Sequence, residues 1–301
     1  TLTKDFYGMI SESEIRRLRR FNRVVTSELG AMDKSFLGRG RPLGLARVLQ
    51  SIGQGKEELR DLRSYLGLDS GLLSRHLRVL EAEELVVAAR SQTQDARQKR
   101  VTLTDAGRRE FDAYEALSDQ HAQELLGRSR KRKELLAAID LISATFGSRQ
   151  PRIRRAAPTE PDVTYAMGEY TSELSDRFGR SFAVPEMGEA ERQDFLPPRG
   201  VFLLAVQDNM AIASGGLRPI DQNCAEVKRV WVNPAWRGQG VSRDMMRSLE
   251  DEARELGYAS VRLDTSRHLQ EAVSLYHALG YREIARYNDN PDADHFFEKM
   301  L

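Results

Sequence analysis

The chain has 301 residues, about twice the length of a typical domain, so its length predicts two domains. Hydrophobic residues make up 40% and charged residues 30%, which is typical of globular domains and excludes a largely disordered chain. No segment approaches the roughly 18–20 uninterrupted apolar residues of a membrane span, and the first residues lack the apolar core of a signal peptide. The single cysteine, Cys224, and the absence of metal-ligand spacing predict a cytoplasmic protein without disulfides or a metal site.

The two halves of the chain carry opposite charge. Residues 1–150 contain 27 Lys and Arg against 21 Asp and Glu, whereas residues 160–301 contain 16 against 24. This asymmetry favours different partners for the two halves, with nucleic acid suited to the basic half only. Ordinary domains also show such imbalances, so the charge alone leaves the question open.

The sequence pattern changes near residue 150. Residues 1–147 are mostly helical in pattern, with one short hairpin pattern. The segment 148–159, SRQPRIRRAAPT, is polar and basic and contains proline, and it is interpreted as a linker. From residue 160, short apolar strands alternate with helices, which indicates a mixed sheet domain over 160–301. The predicted class is α+β with two domains.

Two short segments joined by a glycine predict a helix-turn-helix. The leucines of LRDLRSYL share one helix face, and Gly67 can end that helix. Asp69 or Ser70 can then cap a second helix, because a short side-chain oxygen accepts a free backbone amide. Opposite the leucine stripe of that helix, hydroxyls and arginines could contact bases and phosphates from the major groove, although a solvated surface is the alternative. These candidate DNA-binding residues are Ser70, Ser74, Arg75 and Arg78.

A β-hairpin is predicted directly after this second helix. The β-prone runs Val86–Ala89 and Lys99–Leu103 enclose the polar tip RSQTQDARQ. A basic tip can enter a minor groove, where the electrostatic potential is most negative, so Arg97 is a further candidate DNA contact. His76 lies nearer the leucine stripe of the preceding helix, and we expect it to pack rather than to contact DNA.

The string DARQKRVTLTDAG resembles the wing signature of the MarR family, in which Asp-x-Arg is followed by Leu-Thr-x-x-Gly. The strings IRRFNRVVTSELG and LGLDSGLLSR also resemble that family, so the resemblance covers residues 10–146. It implies a transcriptional regulator that binds double-stranded DNA as a homodimer. The dimer would be formed by the terminal helices, here near residues 11–30 and between 105 and 146.

In the acidic half, AEVKRVWVNPAWRGQGVSRDMMRSLEDEARELGY predicts a strand, a loop with Gly238 and Gly240, and a helix from Val241. Free amides and the positive dipole end at a helix N-terminus attract an anion, and Arg237 adds a charge. The loop fits neither a Walker A motif nor GxGxxG. It predicts a pyrophosphate site, with a purely structural turn as the alternative.

RGQGVS resembles the acetyl-CoA signature of the GNAT acetyltransferase superfamily, Arg/Gln-x-x-Gly-x-Gly/Ala, although Ser242 stands where Gly or Ala is usual. The hairpin pattern of VFLLAVQDNMAIASGGLRPI, with its turn near Asp208 and Asn209, agrees with that superfamily. So does SVRLDTSRHLQEAVSLYHALGYREI, which ends in Leu-Tyr-x-x-x-Gly-Tyr. The whole chain is similar to bacterial fusions of a MarR regulator with a GNAT acetyltransferase.

The GNAT resemblance implies acetyl-CoA as cofactor and direct attack of a neutral amine on its thioester. Glu226 is the candidate base and Tyr276 the candidate acid for the departing thiolate, with an edge carboxylate and a core aromatic as the respective alternatives. Leu269 stands where the family often has an asparagine seven residues before this tyrosine. The residues expected to bind acetyl-CoA are Val230, Trp231, Val232, Arg237, Gly238, Gln239, Gly240, Val241 and Ser242.

The acceptor is less defined by the sequence. Arg229 could pair a substrate carboxylate, Asn288, Asn290 and His295 lie near a predicted sheet edge, and the helix TYAMGEYTSELSDRF and the loop 197–200 could wall a pocket. We therefore expect an N-acetyltransferase of a small amine or amino-acid-like molecule, fused to a DNA-binding regulator. The alternatives are a non-enzymatic regulator whose GNAT half senses a ligand, and a protein lysine acetyltransferase.

Overall fold

The computed structural model describes residues 10–90, 99–147, 150–181 and 187–301. Contacts divide the chain into two compact units, Thr1–Arg132 and Lys133–Leu301. The first unit is mainly helical with one hairpin, and the second contains a seven-stranded mixed sheet flanked by helices. The predicted two-domain α+β class is therefore confirmed.

The first unit has the element order of a winged helix-turn-helix. In chain order its elements are α1 (Glu12–Glu28), α2 (Leu43–Gly53), α3 (Leu59–Leu66), α4 (Ser70–Ala82), β1 (Val86–Arg90), β2 (Lys99–Leu103) and α5 (Asp105–Gly127). The strands β1 and β2 pair antiparallel and form the base of the predicted wing. A common apolar core, which includes Leu49, Leu62 and Tyr114, holds α2, α3 and α5 together.

The turn between α3 and α4 forms as the sequence predicts. Gly67 ends α3 in the left-handed conformation at φ 64, which a glycine adopts without a Cβ penalty. The Asp69 carboxylate caps α4 by accepting the Leu72 amide at 2.9 Å. The apolar stripe of α4 is buried, and it consists of Leu73, Leu77 and Leu80. Burial of this stripe leaves the opposite face of α4 exposed.

The second unit is built on a sheet with the strand order β3-β4-β5-β6-β7-β9-β8. Only β6 and β7 pair in parallel among the described strands of this sheet. The elements are α6 (Arg132–Phe146), β3 (Arg152–Arg155), α7 (Pro161–Phe178), α8 (Glu189–Asp194), β4 (Val201–Gln207), β5 (Met210–Pro219), β6 (Cys224–Val232), α9 (Val241–Glu255), β7 (Ser260–Thr265), α10 (Gln270–Ala278), β8 (Arg282–Glu283) and β9 (His295–Met300). The predicted β4–β5 hairpin turns at Asp208 and Asn209, both in the left-handed region.

The division into units differs from the predicted boundaries of 1–147, 148–159 and 160–301. β3 lies inside the predicted linker and pairs with β4, and α6 belongs to the second unit. Ala144 of α6 is buried in the core of the sheet, and Asp140 accepts a hydrogen bond from Asn233 at 3.0 Å. The sequence does not predict β3, because three of its four residues are arginines and the segment lacks the apolar pattern of a strand.

The sheet opens in its middle at a β-bulge. Between Ser214 and Gly216 of β5 the register shifts, so Arg229 and Val230 of β6 lie opposite one residue. Arg229 has φ 57, a conformation that residues other than glycine rarely adopt. β6 pairs with β7 only at residues 224–226, although both strands continue further. The parting of these strands creates space at the centre of the unit.

Two glycines of α5 test the packing of the first unit. A Cβ on Gly107 would lie 1.8 Å from the Leu85 carbonyl oxygen, so we expect Gly107→Ala to destabilise the protein by about 1–3 kcal/mol. Gly127→Ala is the matched control, because a Cβ there meets no atom within 4 Å. We expect the control to be neutral or stabilised by up to about 1 kcal/mol. Urea unfolding of the full chain measures both, and equal midpoints for the two variants would contradict this packing.

Candidate active site and DNA-binding surface

The four predicted DNA-binding residues of α4 are all exposed. Ser74, Arg75 and Arg78 point away from the buried leucine stripe, whereas Ser70 lies on the leucine side and is exposed at the first position of the helix. His76 is half-buried, close to Gly44 of α2, and burial lowers the pKa of its imidazole. A neutral, packed histidine fits the expectation that His76 does not contact DNA. The predicted wing-tip contact Arg97 lies outside the residues that the structure describes.

A cavity of about 450 Å³ occupies the space where β6 and β7 part. Residues 227–230 of β6 all line it, together with Asp264 of β7, Tyr276 of α10 and side chains of α7. In a regular strand, consecutive side chains point to opposite faces, so four residues in a row line one cavity partly through the backbone edge of the strand. The Val227 side chain accordingly lies in the apolar core, and the bulge at Arg229 interrupts the alternation locally.

The loop before α9 has the geometry of an anion site. Gly238 and Gly240 adopt φ 75 and 89, and α9 begins at Val241. The first amides of α9 have no carbonyl partner within the helix, and the helix dipole places partial positive charge there. A Cβ on either glycine would meet no atom within 4 Å, so space remains beside the loop. These features fit the pyrophosphate of a nucleotide cofactor.

The Arg237 side chain is engaged elsewhere in the protein. Its Nε donates to the Val232 carbonyl at 3.1 Å, and its Nη2 lies 2.5 Å from the Glu173 carboxylate of α7. The neighbouring Gln239 side chain donates to the Ala235 carbonyl at 3.2 Å. The structure thus differs from the expectation that the Arg237 charge faces the anion, because this guanidinium ties the loop to α7.

Three consecutive residues of β6 lie in different surroundings, namely Val230, Trp231 and Val232. Val230 lines the cavity, whereas the Trp231 and Val232 side chains are buried in two separate apolar clusters. Of the three residues, the structure therefore brings only Val230 to the cavity wall. Beyond Glu226, the edge of β6 that faces β7 pairs with no strand of the described residues. A backbone edge of this kind can hydrogen-bond an extended ligand arm.

Tyr276 is a packed aromatic residue that also lines the cavity. Its ring packs against Tyr281 and Phe297 at centroid distances of 5.8 and 5.7 Å, and the residue also lines the cavity. Burial raises the pKa of the Tyr276 phenol above its usual value of 10. The hydroxyl is therefore neutral and able to donate a hydrogen bond across the physiological pH range.

Glu226 occupies a different position from the one that a direct base needs. Its Oε2 accepts from Arg218 at 2.8 and 2.6 Å, and its Oε1 accepts from Tyr287, Asn288 and Lys228 at 2.9, 3.0 and 3.2 Å. The residue is only 3% exposed, and the cavity wall does not include it. Both oxygens are saturated by donors, so Glu226 cannot take a proton directly from a ligand in the cavity.

Asp264 is a carboxylate of the cavity wall that the sequence reasoning missed. Its Oδ2 accepts from Lys228 at 2.5 Å and from Asn288 at 2.6 Å, and its Oδ1 accepts from Asn290 at 3.1 Å. Among the described residues Oδ1 thus accepts one hydrogen bond, and it retains a lone pair for a ligand. The sequence feature that could have indicated Asp264 is an acidic residue within the apolar strand SVRLDT.

The predicted acceptor residues separate into two groups. Arg229 lines the cavity, and Asn288 bridges Glu226 and Asp264 without lining it. Asn290 also lines the cavity, as do Tyr170, Leu174 and Phe178 from the helix that was predicted to form a wall. His295 instead pairs with Glu283 at 2.9 Å, and the loop 197–200 contributes nothing to the cavity wall.

Comparison with known proteins agrees with both halves of the chain. Residues 168–281 match the acetyltransferase (GNAT) family, and residues 43–119 match a winged helix DNA-binding domain. The chain is 27% identical over 109 residues to the uncharacterized N-acetyltransferase YjgM of Escherichia coli (strain K12), covering 35% of this chain and 65% of that protein. It is 26% identical over 152 residues to the IAA acetyltransferase of Azospirillum brasilense, covering 50% of this chain and 97% of that protein.

A solved GNAT acetyltransferase of Staphylococcus aureus is 18% identical, with a TM-score of 0.44, over 50% of this chain and 99% of that one. The chain therefore contains a GNAT N-acetyltransferase domain and a winged helix DNA-binding domain. Acetyl-CoA is the cofactor of the GNAT family, and the glycine loop and cavity fit it. The narrower MarR assignment stays a prediction.

Two negative findings concern the described ranges only. No helix within residues 10–90, 99–147, 150–181 and 187–301 is long and apolar enough to cross a membrane. Over the same ranges, His, Cys, Asp and Glu side chains form no group that could hold a metal ion.

Substitution of the exposed arginines of α4 tests the DNA-binding surface. We expect Arg75→Ala and Arg78→Ala each to weaken binding by about 1–3 kcal/mol, because each removes a base or phosphate contact. The measurement is fluorescence anisotropy with a duplex that the wild-type protein selects from a random pool, over a range of salt concentrations. Arg109→Ala, which removes an exposed arginine of α5, is the control. Wild-type affinity in both α4 variants would contradict the assignment.

A matched pair of glycines tests the anion loop. Gly240 and Gly257 flank α9 at φ 89 and φ 90, so an alanine strains the backbone equally at either position. We expect Gly240→Ala to lower acetyl-CoA affinity at least about 10-fold, near 1.4 kcal/mol, because the loop amides turn away from the pyrophosphate. Gly257→Ala should bind like the wild type. Titration calorimetry measures both, and equal affinities would show that the loop does not hold the cofactor.

Proposed function

We propose that this protein transfers the acetyl group of acetyl-CoA to the amine of a small acceptor, in a chain that also binds DNA as a dimeric transcriptional regulator. The observation that carries the enzymatic part is the cavity between β6 and β7. It is lined by a neutral phenol and a buried carboxylate, Tyr276 and Asp264. A module that only binds a ligand has no need of an acid and a base in the same cavity.

The residues have separate roles in this reaction. The amides from Gly238 to Ser242 hold the pyrophosphate, and the open edge of β6 aligns the extended arm. Acetyl-CoA supplies the activated thioester. Asp264 binds the acceptor ammonium and takes its proton, so that the free amine forms a bond to the acetyl carbon while the carbon–sulfur bond breaks. Tyr276 gives its proton to the departing sulfur, and the proton that the newly acetylated nitrogen releases restores the phenol.

Glu226 acts in this proposal through its neighbours. Lys228 and Asn288 each contact both Glu226 and Asp264, so Glu226 fixes the two groups that orient Asp264. Two buried carboxylates need compensating positive charge, and Arg218 and Lys228 supply it. Glu226 is therefore assigned a positioning role, in place of the direct base role that the sequence suggested.

Exposed apolar residues support the dimeric part of the proposal. α1 has no buried residue, and its Ile15 and Leu18 are 41% and 47% exposed. α6 likewise exposes Leu136, Ile139 and Phe146 at helical spacing. Exposed apolar helix faces mark interaction surfaces, and the MarR resemblance assigns the terminal helices to the dimer interface. Sedimentation of the full chain tests this, with a concentration-independent monomer as the contrary result.

Two carboxylate variants distinguish the base from the positioning residue. We expect Asp264→Asn to slow thiol release from acetyl-CoA on the order of 10²-fold, because the acceptor ammonium loses its base. Alkaline pH should partly restore the rate, since the acceptor then arrives as a free amine. The Glu226→Gln variant should lose less of the thiol-release rate, and alkaline pH should not restore that rate. Alkaline rescue of Glu226→Gln alone would return the base role to Glu226.

A matched pair of tyrosine variants tests whether Tyr276 is the general acid that protonates the departing thiolate. We expect Tyr276→Phe to lower kcat by about 10–10²-fold with unchanged acetyl-CoA affinity. Tyr281→Phe is the control, because that buried neighbour does not line the cavity. Burial raises the Tyr276 pKa, so its proton stays bound at and above pH 10 and this group causes no rate loss between pH 7 and 9. Bound acetyl-CoA with no thiol release for any acceptor would favour the ligand-sensing alternative.

A further inference from the structure

We infer that the acceptor carries a carboxylate beside its amine, as an α-amino acid does, and that Arg229 is the residue that binds this carboxylate. The inference rests on the proposed acetyl transfer and specifies its substrate class. It starts from the charges of the cavity wall. Three cationic residues, Arg218, Lys228 and Arg229, lie together there on neighbouring positions of β5 and β6.

Two of these three cations are occupied by buried protein carboxylates. Arg218 pairs with Glu226, and Lys228 contacts both Glu226 and Asp264. The side chains of these two acids are only 4% and 6% exposed, so neither can turn to water without a large rearrangement of the core. Displacement of these two carboxylates by a substrate anion would cost much free energy, because each buried carboxylate would then lose its cationic partner.

Arg229 differs from Arg218 and Lys228 because its carboxylate partner, Glu191, is partly exposed and can be displaced. Its Nη2 lies 2.5 Å from Glu191, whose side chain is 31% exposed on the six-residue helix α8. The guanidinium itself is held in place by the ring of Phe195 at 5.9 Å and by the Met167 sulfur at 3.8 Å. Glu191 therefore occupies an anion position that a ligand carboxylate can take, while Glu191 moves into solvent.

The backbone supports the same assignment. Arg229 holds the left-handed conformation at the bulge, which costs a residue other than glycine about 1 kcal/mol. Strained positions of this kind cluster where function needs a particular side-chain placement. Here Arg229 lies at the bulge, next to Val230, and both residues line the cavity.

The ammonium of the same acceptor has a matching place. Asp264 lines the cavity, and its Oδ1 accepts from Asn290 and keeps a free lone pair. A cation site at Asp264 and an anion site at Arg229 within one cavity are complementary to a zwitterion. A simple alkylamine would satisfy only the first of these sites. The side chain of a lysine in a peptide has no adjacent carboxylate and would likewise leave Arg229 without a ligand.

The test compares acceptors that differ only at the carboxylate. Each α-amino acid is assayed beside its primary amide and its decarboxylated amine, with thiol release from acetyl-CoA as the readout. For the amino acid that is acetylated most efficiently, we expect kcat/KM to exceed that of its amide and of its decarboxylated amine at least 10-fold. Arg229→Gln should remove this preference, chiefly through KM. Arg254→Gln, in an exposed ion pair on α9, is the matched control and should keep it.

Glu191→Gln gives a result that a merely structural role of the ion pair would not. Removing the competing carboxylate should lower the KM for the amino acid several-fold, whereas loss of a structural ion pair would raise KM or destabilise the protein. Titration of the CoA-loaded protein with amino acids and with their amides gives a readout that does not depend on turnover. Binding of the acid form alone, lost in Arg229→Gln, supports the inference even without acetylation.

The outcomes separate the inference from the proposed function. Equal acetylation of acids, amides and amines would overturn the inference and leave the acetyltransferase standing. Thiol release only with lysine side chains of peptides would also overturn it. Carboxylate-dependent binding without any thiol release would support the Arg229 site and refute the enzymatic proposal.

Discussion

The bulge of β6 is the local distortion on which the site depends. A regular pairing of β6 with β5 and β7 would place a continuous sheet where the cavity now lies. The extra residue at Arg229 shifts the register, and pairing with β7 ends at Glu226. The parted strands expose a backbone edge to a ligand arm, and residues 227–230 along that edge line the cavity. In the proposed function, cofactor alignment and acceptor binding thus have one structural origin in a single strained residue.

A chain of ion pairs holds the helices around this opening. Arg237 of the anion loop pairs with Glu173 of α7, and Glu173 also pairs with Arg177 at 2.8 Å. Arg177 in turn contacts Glu271 of α10 at 2.9 Å. Exposed pairs contribute little to stability one by one, but a connected and partly buried series restricts the geometry of the elements that it joins. A bound pyrophosphate would compete with Glu173 for Arg237, so the same series connects the cofactor loop to the wall of the acceptor pocket.

Local signals in the sequence were sufficient for the elements but not for their long-range contacts. Gly67, Asp69 and the leucines of α4 act within a few residues, and each behaves as predicted. Pairing between distant strands left no such signal, which is why β3 and the bulge at Arg229 were not foreseen. Asp264 was missed for the same reason, because its partners Lys228, Asn288 and Asn290 come from other parts of the chain.

The same limit explains why the proposed base is Asp264 and not Glu226, the base that the sequence predicted. The sequence places Glu226 on the strand before the anion loop, where a base is expected, but it does not show how many donors converge on it. Burying Glu226 and Asp264 side by side is tolerable only if cations and amides compensate both, and Glu226 receives the greater share. The saturated carboxylate becomes a fixed charge that orients Lys228 and Asn288. The one with a free lone pair faces the cavity, so hydrogen-bond saturation rather than position along the strand decides which acid can do chemistry.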